Sequence, residues 1–320
     1  MTNNTDPNTD PVKPRAQSHL NRREFLTRTL AGTGALMAGA PALGDTPAEH
    51  RTATDLVPLG KTGIQVSRLA LGTGSDGFAR SSAQTRLGEG RCLRLLRHGY
   101  DAGITFVDMA DLYGSHDLVR KSLKGRDRDA FVLLSKIWVR RESWNNPSGG
   151  AREEVERYLK ELDAHVLDVC LIHCTTRSNW PREYKRVRDE LSELKAAGTV
   201  RAVGTSCHDF GALEVAAEHP WVDVIFARIN HRGGRQFVMD GTADEVAAVL
   251  KRARANGKAV VGMKIFGNGK LTSPAEKDAS LRYVFDNELI DAMTIGMLND
   301  SQIDDSIQRI DSALQGPDRQ

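Results

Sequence analysis

Short runs of β-branched and other apolar residues alternate with longer stretches of helical periodicity through most of the chain. In one such stretch, residues 152–162, the side chains of Val155, Tyr158, Leu159 and Leu162 fall on a single helical face. Apolar runs separated by helices in this way are typical of βα units that build a parallel sheet. The pattern predicts eight strands, at 68–72, 104–108, 131–136, 166–173, 200–206, 222–229, 259–264 and 292–296.

Eight strands with helices between them match the count of a (β/α)8 TIM barrel, and the roughly 265 residues from position 56 onward are close to its usual size. Ahead of the first strand, residues 57–66 turn at Lys61-Thr62-Gly63 and predict a hairpin that covers the barrel bottom. A doubly wound sheet is the alternative, but no Gly-x-Gly-x-x-Gly sequence opens a helix after the first strand. We therefore predict an α/β protein in which residues 56–320 form one barrel.

Residues 1–55 differ from the rest and predict a disordered leader. Within it, Arg22-Arg23-Glu24-Phe25-Leu26 is followed by a glycine- and alanine-rich apolar stretch at 30–40. That stretch is too short and too rich in glycine to span a bilayer well. The order resembles a twin-arginine export signal; the alternative is a chance Arg-Arg pair ahead of an ordinary apolar helix. We expect the twin-arginine machinery to export the protein to the periplasm or cell envelope, and a cytoplasmic protein if the signal is inactive.

Composition narrows the class of partner and cofactor. The formal net charge is +2 and no Lys/Arg run is dense, so a nucleic-acid partner is not expected. The four cysteines are Cys92, Cys170, Cys174 and Cys207, and none of them forms a Cys-x-x-Cys pair. The sequence therefore lacks the usual framework of an iron–sulfur cluster or a zinc ribbon.

Ionisable residues stand where three successive apolar runs stop. Asp108 ends the run at 104–107, Lys136 follows the next run, and His173 follows the third. Tyr113 comes five residues after the aspartate. Barrel enzymes carry their chemistry at such strand ends, because the strands are rigid and the loops that follow are open.

These four residue types suit the reduction of a carbonyl group, which needs a hydride donor and a proton donor at the oxygen. A free phenol titrates at about 10, so Tyr113 is a reluctant acid unless the ammonium of Lys136 lowers its pKa. Lys136 in turn needs a counter-ion after an apolar strand, and Asp108 supplies one. His173 is expected to donate to the substrate oxygen. Each residue alone also has a structural interpretation, as a loop cap, a turn, an outward-pointing lysine or a core histidine.

Taken together, the four residues resemble the Asp-Tyr-Lys-His tetrad of the aldo/keto reductases, and the resemblance extends from residue 56 to about 310. It includes the segment 198–206, which is similar to the family's Gly-x-x-Arg-x-x-Gly-x-Ser strand, whose serine helps to hold the nicotinamide carboxamide. The resemblance implies an enzyme that reduces a small aldehyde or ketone with NADP or NAD as its cofactor.

The cofactor-binding positions depart from the family pattern more than the catalytic positions do. Cys207 stands in place of an asparagine, Phe226 of a glutamine, and Met263 of the aromatic residue that stacks on the nicotinamide. The lysine and arginine that usually bind the 2′-phosphate have no counterpart near Leu298 and Gln302. The cofactor-binding residues that the resemblance implies are Gly72, Thr73, Ser206, Cys207, Phe226, Met263, Lys264, Gly267, Gly269, Gly296 and Asn299.

These departures leave two other functions open. One is a non-enzymatic module that carries a nucleotide and senses redox state. The other is a metal-dependent hydrolase, since His173-Cys174, Cys207-His208 and His231 all fall near strand ends. Neighbouring strand residues face opposite ways, so at most one member of each pair can point inward. We therefore expect no metal site.

Overall fold

The computed structural model describes residues 51–140 and 150–316. Eight parallel strands close into a barrel in the order β10-β3-β4-β5-β6-β7-β8-β9, and an antiparallel pair, β1-β2, precedes them. This confirms the predicted TIM barrel with its N-terminal hairpin. The strands are β1 (Leu56–Pro58), β2 (Gln65–Ser67), β3 (Leu69–Gly72), β4 (Phe106–Asp108), β5 (Val132–Trp138), β6 (Leu167–Thr175), β7 (Val200–Cys207), β8 (Val224–Arg228), β9 (Ala259–Met263) and β10 (Ala292–Gly296).

Helices connect the barrel strands, and their ends carry the expected signals. Thr242 and Glu245 form a reciprocal capping box at one helix start, and Ser273 caps another just ahead of Pro274. The α-helices are Glu89–Asp101, His116–Ser122, Ala151–Leu162, Trp180–Glu183, Lys185–Ala196, Phe210–Glu218, Ala243–Ala255, Pro274–Asp286 and Asp300–Gln315. Short 3-10 helices lie at Thr85–Leu87, Asp111–Tyr113, Arg128–Ala130, Arg235–Phe237 and Gly267–Gly269.

Alternation along each strand divides the core into two layers. In β5, Val132 and Leu134 belong to the apolar cluster inside the barrel, whereas Leu133 and Ile137 belong to the larger cluster between the strands and the helices. Lys136 continues the inner row. The strand therefore carries its only ionisable side chain to the open end of the barrel, above the apolar inner cluster.

The hairpin supplies apolar side chains to the inner cluster. Leu59, Ile64 and Val66 are almost fully buried and pack with the inward-facing residues of the strands. Gly60 has a positive φ of 53°, and a Cβ built on it would lie 2.5 Å from the amide nitrogen of Ala259. Only glycine therefore lets the hairpin approach the barrel this closely.

The folded unit begins before residue 56, the expected boundary. The carbonyl of Ala53 accepts a hydrogen bond from the Leu69 amide at 2.8 Å, and the Ala53 amide donates to Asp311 Oδ1 at 2.6 Å. Residues 51–55 thus contact the first barrel strand and the last helix. The paired arginines and the rest of the expected leader lie outside the described residues. Within the described part of the chain, no helix has the length and hydrophobicity needed to cross a membrane.

The hairpin's contribution to stability can be measured with two leucines of the same segment. Leu59 is fully buried, whereas Leu56 is 62% exposed. Leu59→Ala should lower the free energy of unfolding by about 2–5 kcal/mol, because it leaves a cavity in the inner cluster. Leu56→Ala should change it by less than about 0.5 kcal/mol. Denaturant titration measures both, and equal stability of the two variants would show that the hairpin does not close the barrel.

Candidate active site

A cleft of about 450 Å³ opens at the carboxyl ends of the barrel strands. The four residues expected to carry chemistry, Asp108, Tyr113, Lys136 and His173, all line it. They come from three neighbouring strands and the loop after the first of these, so the parallel topology brings them to one end.

Lys136 and Asp108 form a buried ion pair at the floor of the cleft. Their side chains are 2% and 8% exposed, and the ammonium donates to Asp108 Oδ1 and, at 2.9 Å, to the Met109 carbonyl. Asp108 Oδ2 accepts from the Thr294 hydroxyl at 2.9 Å, which fixes the carboxylate from the opposite side. Burial lowers the pKa of Lys136 from its ordinary value, and the charge of Asp108 opposes that change.

Tyr113 lies next to this pair, and the loop after β3 packs closely against its ring. The ammonium of Lys136 lies 5.0 Å from the centroid of the Tyr113 ring. The loop after β3 approaches the same ring closely, since a Cβ added to Gly74 or Gly77 would lie 2.2 Å or 2.4 Å from it. Both glycines are therefore needed where they stand, and they hold the phenol ring in one plane.

The pKa of Tyr113 is not lowered, contrary to the expectation from Lys136. Burial raises the pKa of the phenol well above 10, and the nearby carboxylates of Asp108 and Asp111 raise it further. The reason is geometric: the ammonium faces the ring and is already paired with Asp108, rather than meeting the hydroxyl. Tyr113 is therefore protonated at neutral pH, as a proton donor must be.

His173 is the hydrogen-bonding partner of the phenol. Its Nε2 lies 3.5 Å from the Tyr113 hydroxyl, and the two rings meet edge to face. On its other side, Trp138 packs against the imidazole with 5.5 Å between ring centroids. Burial lowers the pKa of His173, and the positive charge of Lys136 adds to this, while Asp111 opposes it. The histidine is thus held in place among aromatic rings.

Most of the expected cofactor-binding residues also line the cleft. These are Gly72, Ser206, Phe226, Met263, Lys264, Gly269 and Gly296. Phe226 is fully buried, and its ring centroid lies 5.0 Å from the Lys136 ammonium, the same distance as that of Tyr113. The phenylalanine that replaces the family's glutamine thus forms one wall around the lysine.

Four of the expected cofactor residues lie elsewhere. Thr73 donates its hydroxyl to the Asp108 carbonyl at 2.8 Å and so joins two strand ends. Cys207 faces the outer core, because its neighbour Ser206 faces the cleft. Gly267 is a buried residue of the 3-10 helix Gly267–Gly269, which follows β9, and Asn299 caps the last helix by accepting from the Gln302 amide at 3.0 Å. None of the four is among the residues that line the cleft.

The part of the cleft beyond the tetrad suits a phosphate-bearing ligand. Lys264 and Lys277 bring two ammonium groups to its wall, and Ser206 brings a hydroxyl. A Cβ on Gly269 would meet no atom within 4 Å, so the backbone there is open to a ligand. Cations, a hydroxyl and exposed backbone are the groups that bind a dinucleotide diphosphate. The residues present therefore fit a nicotinamide dinucleotide.

Two residues of the site were not singled out in the sequence. Thr294 holds Asp108, and its signal was its inward position on the last barrel strand. Asp111 lies beside His173, with 3.7 Å between Oδ1 and Nδ1. Its signal was a second acid in the same loop as Asp108 and Tyr113. Its partners lie on other strands, which the local sequence does not reveal.

The histidines and cysteines near the strand ends do not converge. His173 and His208 line the cleft, whereas Cys174 does not and Cys207 faces the outer core. His231 pairs with a glutamate on a neighbouring helix. Among the residues that the structure describes, no group of three His, Cys, Asp or Glu side chains is arranged to hold a metal ion.

The chain is similar to known proteins both in sequence and in structure. The family model described as "Aldo/keto reductase family" matches residues 68–290. An NADH-specific methylglyoxal reductase of Escherichia coli is 25% identical over 239 residues, which cover 69% of this chain and 70% of the relative.

Solved structures share the fold at lower identity. An aldo-keto reductase from Bacillus halodurans, in its holo form, superposes with a TM-score of 0.61 at 18% identity, covering 83% of this chain and 96% of its own. An aldo/keto reductase from Klebsiella pneumoniae in complex with NADP and acetate superposes with a TM-score of 0.58 at 20% identity, covering 82% and 90%.

The buried ion pair makes a prediction about stability and rate. Asp108→Ala should lower the free energy of unfolding by about 3–5 kcal/mol, because it leaves the ammonium of Lys136 buried without its counter-ion. Lys136→Met keeps the packing and should reduce turnover more than stability. The exposed pair Lys185–Asp189 provides the control, since Asp189→Ala should cost at most about 0.5 kcal/mol. Denaturant titration that gives Asp108→Ala the stability of the unaltered protein would contradict the pairing.

Proposed function

The chain belongs to the aldo/keto reductase family and is an NAD(P)H-dependent oxidoreductase acting on carbonyl compounds, and we propose that Tyr113 is its proton donor. The family and the reaction expected from the sequence are thereby confirmed. The observation that supports the proton donor is the position of a protonated, buried phenol at the wall of the cleft, between His173 and the Lys136–Asp108 pair.

Each of the four residues has a different role in the proposed reaction. Tyr113 donates its proton to the carbonyl oxygen of the substrate as negative charge develops there. The Lys136 ammonium stabilises the phenolate that remains, because it lies 5.0 Å from the ring centroid in a buried site where charge interactions are strong. Asp108 keeps that ammonium charged and in place. His173 fixes the position of the phenolic oxygen.

The cofactor would lie along the cleft beside these groups. Ser206 lines the part nearest the tetrad, and Lys264 and Lys277 line the part that suits the diphosphate. When bound, a nicotinamide dinucleotide supplies hydride to the carbonyl carbon. Phe226 and Met263 line the cleft wall where the family has a glutamine and an aromatic residue. Their apolar side chains, both buried, would keep water away from this part of the wall.

The substrate is a small carbonyl compound. The Escherichia coli relative is named for the reduction of methylglyoxal, and a 2-oxoaldehyde is therefore the first compound to test on this chain. The name of that relative also favours catalysis over a nucleotide-carrying sensor.

Replacement of the acid tests the proposal. Tyr113→Phe should lower kcat by about 10²–10⁴, the range for removal of a positioned general acid, while the fold is kept. Tyr283→Phe is the matched control, because this tyrosine lies on the helix Pro274–Asp286 outside the cleft. Near-full turnover of Tyr113→Phe on a substrate of the unaltered enzyme would show that another group donates the proton.

We also propose that the enzyme discriminates little between NADPH and NADH. Gln302 and Asp305 line the far end of the cleft, and a carboxylate there does not favour a 2′-phosphate. Three cations of this region have partners of their own. Arg309 is paired with Asp305 and Asp278, Lys277 with Asp305, and Lys270 donates to a backbone carbonyl. Arginine and lysine usually provide the preference for the 2′-phosphate.

Calorimetric titration with both reduced cofactors measures this. The two Kd values should differ by less than about tenfold, or about 1.4 kcal/mol. Gln302→Arg should strengthen NADPH binding relative to NADH, because it places a guanidinium at the end of the cleft. Ser301→Arg, on an exposed neighbour that does not line the cleft, is the control. A strong NADPH preference of the unaltered protein would contradict the proposal.

Export by the twin-arginine route is the third proposal. It is supported by Arg22 and Arg23 ahead of the glycine- and alanine-rich stretch, and by the fact that this route carries folded proteins with their cofactors bound. Changing both arginines to lysine should retain the protein in the cytoplasm, whereas the unaltered chain should be found in the periplasm or cell envelope. Cell fractionation decides the matter, and an unaltered chain found wholly in the cytoplasm would refute it.

A further inference from the structure

Asp111 is a buried carboxylate that the proposed mechanism leaves unused. It begins the 3-10 helix Asp111–Tyr113 and is 6% exposed. Its Oδ1 accepts from the Leu112 amide and its Oδ2 from the Trp138 amide, each at 2.8 Å. The carboxylate is thus fixed both to its own turn and to the end of β5.

The Asp111 carboxylate can accept more hydrogen bonds than the two from these amides. An ionised aspartate has about four lone-pair sites, and Oδ1 and Oδ2 each use one. Oδ1 also faces the Nδ1 atom of His173 at 3.7 Å. That nitrogen is buried and has no hydrogen-bond partner among the described residues. The unpartnered Nδ1 atom of His173 therefore faces a carboxylate oxygen that can accept another hydrogen bond.

The charge of the carboxylate decides which imidazole nitrogen carries the proton. If Nδ1 were unprotonated, its lone pair would point at a negative oxygen, which is unfavourable. If Nδ1 is protonated, a small rotation of the ring closes the hydrogen bond, and such bonds are often long before a ligand binds. Nε2 of a neutral imidazole then has the free lone pair, and it faces the Tyr113 hydroxyl at 3.5 Å.

We propose that Asp111 is a positioning residue that holds His173 in the Nδ1-protonated tautomer, so that Nε2 accepts from the Tyr113 hydroxyl. The inference rests on the proposed role of Tyr113 and changes the expected role of His173. In the resting enzyme the neutral histidine is an acceptor that fixes the phenol, rather than a donor to the substrate oxygen. Because the hydroxyl has a single proton, that proton turns from Nε2 to the carbonyl oxygen when the substrate binds. The three residues form a chain from carboxylate to imidazole to phenol.

The tautomer can be read directly in the resting protein. Nitrogen-15 NMR of histidine-labelled protein distinguishes protonated from unprotonated ring nitrogens, and His173→Gln identifies the signal. The expected result is a neutral His173 with its proton on Nδ1. A proton on Nε2 would overturn the proposal.

Asp111→Asn then tests the cause. An asparagine that keeps its oxygen on the Trp138 amide turns its NH2 group toward Nδ1, which favours the other tautomer. We expect the His173 signal to change accordingly and the Kd for NADH to stay unchanged. We expect kcat to fall about 10- to 100-fold, as when a carboxylate that orients a metal-bound histidine is lost. A tautomer that does not change in this variant would overturn the proposal.

Asp168→Asn is the matched control, because Asp168 is also buried and also accepts from an amide of β5, that of Leu133 at 2.9 Å. It lies at the opposite end of the barrel, where it pairs with Arg128 and Arg201. The Asp168→Asn variant should be less stable than the unaltered protein but should show the same His173 signal. The same kcat loss in both variants at equal stability would reduce Asp111 to a structural cap. If the unaltered enzyme reduced no carbonyl, the proposed function would fail, while the NMR result would still judge the tautomer.

Discussion

The ion pair between Lys136 and Asp108 is the interaction on which the rest of the site depends. An ammonium in an apolar barrel is tolerated only with a counter-ion and further hydrogen bonds, and the structure provides both through Asp108 and the Met109 carbonyl. The same ammonium lies 5.0 Å from the ring centroids of both Tyr113 and Phe226. Loss of the pair would therefore disturb the strand ends, the phenol and the cleft wall together.

The electrostatics around the phenol keep its proton until it is needed. Burial and the nearby carboxylates raise the pKa of Tyr113, so the resting enzyme does not lose the acid to solvent. The cation beneath the ring becomes useful only when the phenolate forms, and this is the condition under which an interaction lowers a barrier rather than merely strengthening binding.

The barrel and the four-residue site could be predicted from the sequence, because both depend on local patterns. Period-two alternation carries Lys136 inward from an apolar row, and the same alternation indicates that Cys207 faces outward once Ser206 faces inward. The role of Asp111 could not be predicted, because its partners Trp138 and His173 come from other strands. The direction of the Tyr113 pKa was missed for the same reason, since it depends on which atoms the ammonium faces.

The protonation state of Lys136 tests the central claim most directly. Nitrogen-15 NMR of lysine-labelled protein, with the signal identified by its loss in Lys136→Met, follows the ammonium through a pH titration. The account predicts a charged ammonium at neutral pH, and in Asp108→Asn a conversion to the amine at distinctly lower pH, because desolvation then acts unopposed. A neutral amine in the unaltered enzyme at neutral pH, or the same titration in both proteins, would contradict it.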